Sequence, residues 1–152
     1  MPTKVQTRVQ QRRFRNDAET AFVGLLVVAE HLNQRLDEIC GREGITHTQY
    51  NVLRILRGAQ PHGHPRFEIA NRLIRRAPDV TRLLDRLDRQ GLIERSWAPD
   101  NRRHSIARIT PKGLHVLAAI EPDLTRLQDE TVGSLTPVQL AALTAAREPL
   151  TP

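Results

Sequence analysis

The sequence predicts a mainly α-helical fold with one small β-hairpin. Apolar residues recur at spacings of three and four along most of the chain, which is typical of amphipathic helices. Thr-Pro pairs and glycines mark several helix starts and ends. One pair of short segments on either side of Ala98-Pro99-Asp100-Asn101 instead has the composition of two strands and a turn. The length of 152 residues and the single Cys fit one domain with helical extensions and exclude a disulfide framework within the chain.

The net charge of +6 is concentrated in two segments. Residues 1–16 contain five basic and no acidic side chains, and residues 65–113 contain twelve basic and six acidic ones, whereas residues 17–64 and 114–152 are net acidic. This asymmetry favours contact between the middle of the chain and a polyanion. The alternative is a solvated surface rich in arginine, since 21 of the 23 basic residues are Arg. An aromatic content of 3% argues against a base-stacking platform for single strands.

The N-terminal region has the charge order of a signal peptide but lacks its other features. Basic residues precede the apolar run 21–29, but Asp17 and Glu19 interrupt the approach, and Glu30 stands where a small-residue cleavage site is required. Nine residues are also too few to span a bilayer, which takes about 20. The sequence therefore predicts a soluble, cytoplasmic chain without a membrane partner.

Residues 17–44 are predicted to form one long helix. Residues 1–16, which precede it, lack apolar periodicity and are interpreted as a mobile basic arm or a frayed helical extension. The apolar seam of the long helix consists of Ala18, Phe22, Leu25, Ala29, Leu32, Leu36 and Ile39. Its first half is apolar nearly all round, so we interpret it as a dimerisation helix, with burial inside a monomer as the alternative. Gly41 and Gly44 are expected to end it.

Two short helices are predicted at the start of the region 45–111. Thr46 is a suitable N-cap for the first, and Gln49 completes a capping box. The stretch 58–65, rich in Gly, Pro and His, is predicted to be a loop. The second helix is predicted from its apolar residues, which are Phe67, Ile69, Ala70, Leu73 and Ile74.

A basic helix and a hairpin follow. The helix is predicted over 78–90, with Pro78 in its first turn and Gly91 as its stop. The side predicted to pack inward consists of Val80, Leu83, Leu84 and Leu87, and the opposite side displays Thr81, Arg82, Asp85, Arg86 and Arg89. Residues 92–97 and 104–110 are predicted strands, with a wing over 96–105. These are the parts of a winged helix-turn-helix, whose second helix fits a major groove.

Residues 112–152 are predicted to form C-terminal dimerisation helices. Thr110-Pro111 and Thr136-Pro137 are two matching helix starts, and Pro149 is expected to end the last helix. A kink is expected at Pro122. The Leu-rich, acidic character of this segment suits contact with protein. The full expectation is a winged helix-turn-helix flanked by N- and C-terminal dimerisation helices.

The chain resembles the MarR family of bacterial transcription regulators between residues 18 and 148. The resemblance is carried by four segments: Ile45-Thr46 with Gln49-Tyr50; Glu68-Ile69-Ala70; Val80-Thr81-Arg82-Leu83 through Asp85-Arg86-Leu87 and Gly91-Leu92-Ile93 to Arg95; and Asn101-Arg102-Arg103 through Thr110-Pro111-Lys112-Gly113. It implies a homodimer that binds pseudo-palindromic duplex DNA and is a repressor relieved by a small aromatic or lipophilic ligand, or by an oxidant.

Two positions depart from the family pattern. The wing usually carries Asp-Arg-Arg, whereas this chain has Asn101-Arg102-Arg103 with its acid one residue earlier, at Asp100. Either Asn101 replaces the carboxylate or the hairpin holds one extra residue. The basic helix also begins with Ala77-Pro78 where a Ser or Thr cap is usual, so its first N–H groups need another partner.

The candidate DNA contacts fall into three groups. Arg82 and Arg86 suit bidentate contact with guanine, with Thr81 and Arg89 beside them. Arg102 and Arg103 suit a narrow minor groove. The phosphate candidates are Arg75, Arg76 and Lys112. The alternative for the basic helix is pairing within it, because Asp85 lies three residues from Arg82 and four from Arg89. The predicted dimer contacts are Phe22, Leu25, Ala29, Leu32, Leu140 and Leu143.

The remaining reactive side chains do not predict an enzyme. Cys40 is interpreted as a small buried hydrophobic residue, with redox sensing as the alternative. His62 and His64 flank a glycine and would make a weak metal site. The sequence contains no Ser-His-Asp order, Gly-rich phosphate loop or His-Glu metal motif, so no catalytic residue, metal or cofactor is expected. Two other functions remain open, a winged-helix module that binds protein and a nonspecific architectural DNA binder.

Overall fold

A computed structural model describes residues 1, 3–11, 13–98 and 101–151, and for residues 98 and 101–104 it describes the backbone alone. The chain forms two compact units, Met1–Glu38 and Ile39–Pro152. The first contains α1 (Lys4–Val9) and most of α2 (Asp17–Arg42). Thr3 caps α1 by accepting from the Gln6 backbone N–H, so part of the predicted arm is helical. Arg12, one of the arm's basic residues, lies outside the described residues.

The end of α2 is set by Gly44, as the sequence predicts. Gly44 has a φ of +72°, a left-handed conformation that glycine adopts without a steric penalty. Its N–H donates to the Gly41 carbonyl at 3.1 Å, and the Ile45 N–H donates to the Cys40 carbonyl at 3.2 Å. This pair of bonds is a Schellman motif, which satisfies carbonyls left open at the helix end. Gly41 itself lies inside the last turn.

The second unit continues with α3 (His47–Gly58), α4 (Arg66–Arg72) and α5 (Val80–Arg89). Thr46 and Gln49 form the predicted capping box of α3. The predicted extension of α4 through Ile74 is wrong. The backbone changes from helical to extended conformation at Leu73, and Ile74 is 76% exposed. Residues 73–79 form the turn region that connects α4 with α5.

A three-stranded antiparallel sheet of order β1-β3-β2 packs beside these helices. It contains β1 (His64–Pro65), β2 (Ile93–Ala98) and β3 (Asn101–Ile109). The hairpin is confirmed, but the loop predicted over 58–65 ends in a strand, with His64 opposite Ala107. A strand of two residues is too short to produce an alternating sequence pattern, so only its pairing with β3 reveals it.

The chain ends in α6 (Pro111–Glu130), a 3-10 turn (Val132–Ser134) and α7 (Pro137–Leu150). Both Thr-Pro starts are present, since Thr110 and Thr136 cap these helices and Pro stands in the first turn of each. The predicted stop at Pro149 is wrong by one residue. A proline in the last turn removes a single hydrogen bond, so α7 continues to Leu150.

The core lies in the second unit and joins the helices to the sheet. Its completely or almost completely buried side chains come from α2, α3, α4, α5, β2 and α6 and are Cys40, Val52, Leu53, Leu56, Ile69, Leu84, Leu87, Ile93, Leu117 and Ile120. Leu84 and Leu87 anchor the inner side of α5 in this core, which fixes the side that α5 turns to solvent. The mainly α fold with a small hairpin is the class predicted from the sequence.

Candidate nucleic-acid interface

Helix α5 buries one face and exposes the other. Val80, Leu84 and Leu87 are buried, whereas Thr81 and the three arginines Arg82, Arg86 and Arg89 are exposed. We call these three arginines the arginine strip. Spacings of four and three residues bring them to one side of the helix, opposite the core.

The start predicted for this helix is wrong by two residues. Pro78 lies outside α5, and Asp79 is its N-cap, with the Asp79 carboxylate accepting from the Arg82 backbone N–H at 2.9 Å. Asp79 therefore replaces the missing Ser or Thr as the partner of the first-turn donors. This hydrogen bond involves the backbone N–H of Arg82 and not its guanidinium group.

Asp85 does not pair with the arginine strip. Its carboxylate accepts from Nη1 of Arg95, on strand β2, at 2.5 Å. Across the part of the chain that the structure describes, no ion pair holds Arg82, Arg86 or Arg89. The alternative of pairing within the helix is therefore not what the structure contains.

The turn between α4 and α5 presents two more of the predicted contacts. Arg75 and Arg76 are exposed there, and the turn is held by the buried Asn51, whose side-chain oxygen accepts from the Ile74 backbone N–H at 2.9 Å. The structure brings both arginines together with Arg82 and Arg86 around an open groove of about 370 Å³. The other residues lining this groove are Thr46, Thr48, Gln49, Ala77, Pro78, Asp79 and Leu83.

Lys112 is exposed but makes a hydrogen bond within the protein. Its ammonium donates to the carbonyl of Gln90, the C-cap of α5, at 2.8 Å. A cation at this position offsets the negative end of the helix dipole. The structure thus gives Lys112 a helix-capping contact that the phosphate prediction did not include.

The wing, residues 96–105, continues from the paired base of β2 and β3. The register is regular from Ile93 opposite Ile109 to Trp97 opposite Ser105, and then shifts so that Ala98 pairs with Asn101. Three residues of β3 thus interrupt the ladder at the position of Arg102 and Arg103. The side chains of these two arginines lie outside the described residues, so their predicted minor-groove contact stays a prediction.

Arg95 belongs to a segment that carries the family resemblance, but the sequence does not predict its contact with Asp85. Strand alternation places it on the same face as the buried Ile93, and a charged side chain at such a position requires a partner. That was the available signal. Its partner, Asp85, is set by how β2 packs against α5, which local sequence does not encode.

The predicted dimer contacts lie on helices with exposed apolar side chains. On α2, Phe22 and Leu25 are 63% and 47% exposed, Ala29 is exposed and Leu32 is half-buried. On α7, Leu140 and Leu143 are 42% and 44% exposed, and the helix has no buried residue.

The other candidate groups have ordinary structural surroundings. Cys40 is completely buried, which agrees with its interpretation as a small hydrophobic residue. Burial raises the pKa of Tyr50 above its ordinary value. Among the residues that the structure describes, no cluster of three His, Cys, Asp or Glu side chains has the arrangement of a metal site. Within the same residues, no helix has the length and hydropathy of a membrane span.

The turn held by Asn51, the capped helix with its exposed arginine strip and the hairpin behind it together define a winged helix-turn-helix protein. Comparison with known families agrees, because residues 45–105 match the model of the MarR family. A crystal structure of a MarR transcription factor from Planctomyces limnophilus is 34% identical, with a TM-score of 0.70 over 90% of this chain and 98% of that one. The chain therefore belongs to the MarR family, whose members are transcriptional regulators and not enzymes.

Two further relatives are similar to this chain, the first in sequence and the second in fold. The HTH-type transcriptional regulator MhqR of Bacillus subtilis is 28% identical over 116 residues, which are 75% of this chain and 77% of MhqR. Sco3205, a MarR family transcriptional regulator from Streptomyces coelicolor, has been solved in complex with DNA. It is 24% identical, and the two chains align over 92% of each with a TM-score of 0.73, which is a likeness of fold.

Proposed function

We propose that this protein regulates transcription by binding a specific sequence of duplex DNA as a homodimer. The observation that carries the proposal is the arginine strip, which is exposed on α5 while the neighbouring Asp85 is bound to Arg95. Family membership and the fold shared with the DNA complex of Sco3205 support the same function.

The proposed contacts follow from the dimensions and chemistry of DNA. An α-helix with its side chains is about 10–12 Å across and enters the major groove, which is about 12 Å wide. There Arg82 and Arg86 donate to guanine edges, and Thr81 and Arg89 contact a neighbouring base or phosphate. Arg75 and Arg76, beside the same groove of the protein, contact the phosphate backbone, while Arg102 and Arg103 enter the minor groove.

A dimer accounts for the exposed apolar side chains of α2 and α7. A second copy of the chain would remove Phe22, Leu25, Leu140 and Leu143 from water, and burial of large apolar side chains is the main source of free energy in such interfaces. Two recognition helices related by a two-fold axis then require a pseudo-palindromic site, with half-sites about one helical turn apart. We further propose repression by occlusion of a promoter, relieved by a small aromatic or lipophilic ligand, since both are typical of the MarR family.

The test is selection of binding sequences from random duplexes with the purified protein, followed by footprinting on the selected sequence. We expect a motif with two-fold symmetry and protection of both half-sites. The double variant Arg82→Ala/Arg86→Ala should no longer bind the selected duplex. The control variant Arg126→Ala removes an exposed arginine from α6 and should still bind the selected duplex.

Three outcomes would count against the proposal. Protection without a sequence preference would indicate an architectural DNA binder. A protein that selects no duplex, yet captures a protein partner equally well with and without Arg82, would indicate an interaction module. A selected motif that lacks symmetry would contradict the dimer.

A further inference from the structure

Arg95 lies where the recognition helix meets the hairpin. Its side chain is 13% exposed and contacts three other side chains, which lie on α5, on β3 and on β2 itself. Nη1 donates to the Asp85 carboxylate of α5 at 2.5 Å, and Nη2 and Nε donate to the Ser105 hydroxyl of β3 at 3.0 and 3.3 Å. The guanidinium also lies 5.4 Å from the ring centroid of Trp97, within range of a cation–π contact.

Two of these contacts anchor Arg95 within the hairpin. Ser105 is buried, and it stands opposite Trp97 in the register of β2 and β3. The guanidinium is thus in contact with both strands at the last regular pair before the register shift. Nη1 donates to an acceptor outside the hairpin, on α5. A charged group with so little exposure holds its partner firmly, because separation would leave the charge desolvated and unpaired.

The ion pair has a second effect on α5. Asp85 lies three residues after Arg82 and four before Arg89, spacings at which acidic and basic side chains pair on a helix surface. Because Asp85 is bound to Arg95, its carboxylate is held at the edge of the helix that faces β2. The arginine strip therefore stays available to contact a ligand.

We propose that Arg95 and Asp85 are a positioning pair that fixes the wing against the recognition helix. Both DNA-contacting elements then meet the duplex in one mutual arrangement, without reordering on binding. This inference rests on the proposed function and adds to it two residues that act through other contacts. Neither Arg95 nor Asp85 is itself assigned to DNA.

The sign of one substitution separates this role from simple electrostatics. Asp85→Ala removes a negative charge from a helix that faces a polyanion, so charge alone predicts tighter binding of DNA. The positioning pair predicts the reverse, because the wing loses its tie to α5. Asp88→Ala is the matched control, since Asp88 is an exposed acid on the same helix. It should bind the duplex as well as or better than the unaltered protein.

The experiment is a double-mutant cycle on the affinity for the selected duplex, measured by fluorescence anisotropy. The unaltered protein, Asp85→Ala, Arg95→Ala and the double variant are compared, each with the native wing and with Arg102→Ala/Arg103→Ala. With the native wing, we expect each single variant to bind about tenfold more weakly and the double variant to bind no worse than either. In proteins that also carry Arg102→Ala/Arg103→Ala, we expect the same substitutions at Asp85 and Arg95 to change the affinity by less than about twofold, because the wing arginines that the pair positions are absent.

Thermal unfolding of each variant separates a local effect from loss of the fold. If Arg95→Ala does not fold, Asp85→Ala carries the test, since the Asp85 side chain is 42% exposed. Equal or tighter binding by Asp85→Ala, additive losses in the double variant, or equal losses in both wings would each overturn the positioning role. Failure of the proposed function is a different result, in which the unaltered protein binds no duplex.

Discussion

At the scale of single residues, the basic side chains divide by what already holds them. Arg95 is bound within the site, and Arg108 donates to the Ser96 hydroxyl at 2.6 Å and the Pro61 carbonyl at 3.2 Å. Lys112 is bound to the Gln90 carbonyl. These three side chains make contacts within the hairpin and α5. The positive charge of the central segment therefore divides into side chains that stabilise the fold and side chains that remain available to bind a ligand. The arginine strip belongs to the available part.

Arg82→Ala and Arg102→Ala should affect DNA binding in different ways. A guanidinium on a base edge discriminates by about 1–3 kcal/mol, so loss of Arg82 should relax the preference at one base position per half-site. Loss of Arg102 should weaken all sequences similarly, because the minor groove carries little sequence information. Affinities for the selected duplex and for single-base variants of it measure both effects. Equal losses on selected and random DNA for both variants would contradict this assignment.

Cys40→Ser should leave any response to peroxide unchanged. Oxidation requires an accessible thiolate, and the Cys40 side chain is completely buried. Release of bound DNA by hydrogen peroxide can be followed for the unaltered and substituted proteins in parallel. A response present in the former and lost in the latter would show that Cys40 is the sensor.

At the scale of elements, local sequence signals predict helix ends where a side chain or a glycine supplies the missing hydrogen bonds. Thr46, Thr110 and Thr136 are recognisable as helix starts in the sequence, because a second local signal follows each of them: Gln49 for the first and a proline for the other two. Asp79 was misplaced within its helix because a proline before it looked like a first turn. Strand β1 and the Asp85–Arg95 pair could not be predicted, since both depend on contacts between segments distant in sequence.

Asp79→Ala should destabilise α5 specifically. The Asp79 carboxylate accepts from the first turn of the helix and lies at the positive end of its dipole. Removal of such a cap costs about 1 kcal/mol in the free energy of unfolding, whereas Asp79→Asn keeps the acceptor and should cost less. Urea unfolding gives both values. If alanine and asparagine lowered stability equally, the hydrogen bond would not be the source of the effect.

At the scale of the whole molecule, the basic side chains and the exposed leucines are separated along the chain. The basic segment 65–113 contains the arginine strip and the wing, whereas the exposed leucines lie on α2 and α7, in segments that are net acidic. This separation allows one surface to meet phosphates while others meet a second protein chain. The division was readable from the sequence, because charge counts and helical periodicity need no tertiary information. The area that a second copy would cover was not readable, because it depends on how side chains pack.

Glutamine at both Leu25 and Leu32 should convert a dimer to a monomer. Glutamine is similar in length to leucine but requires hydrogen-bond partners that an apolar interface does not offer, so burial of the surface becomes unfavourable. Light scattering should then give a mass near 17.3 kDa in place of twice that value. Ile74→Gln is the control, since Ile74 is an exposed apolar residue outside the predicted interface and should leave the mass unchanged. The monomer should also bind the selected duplex far more weakly, because each half-site then has to be bound independently. An unchanged mass for the doubly substituted protein would remove α2 from the interface.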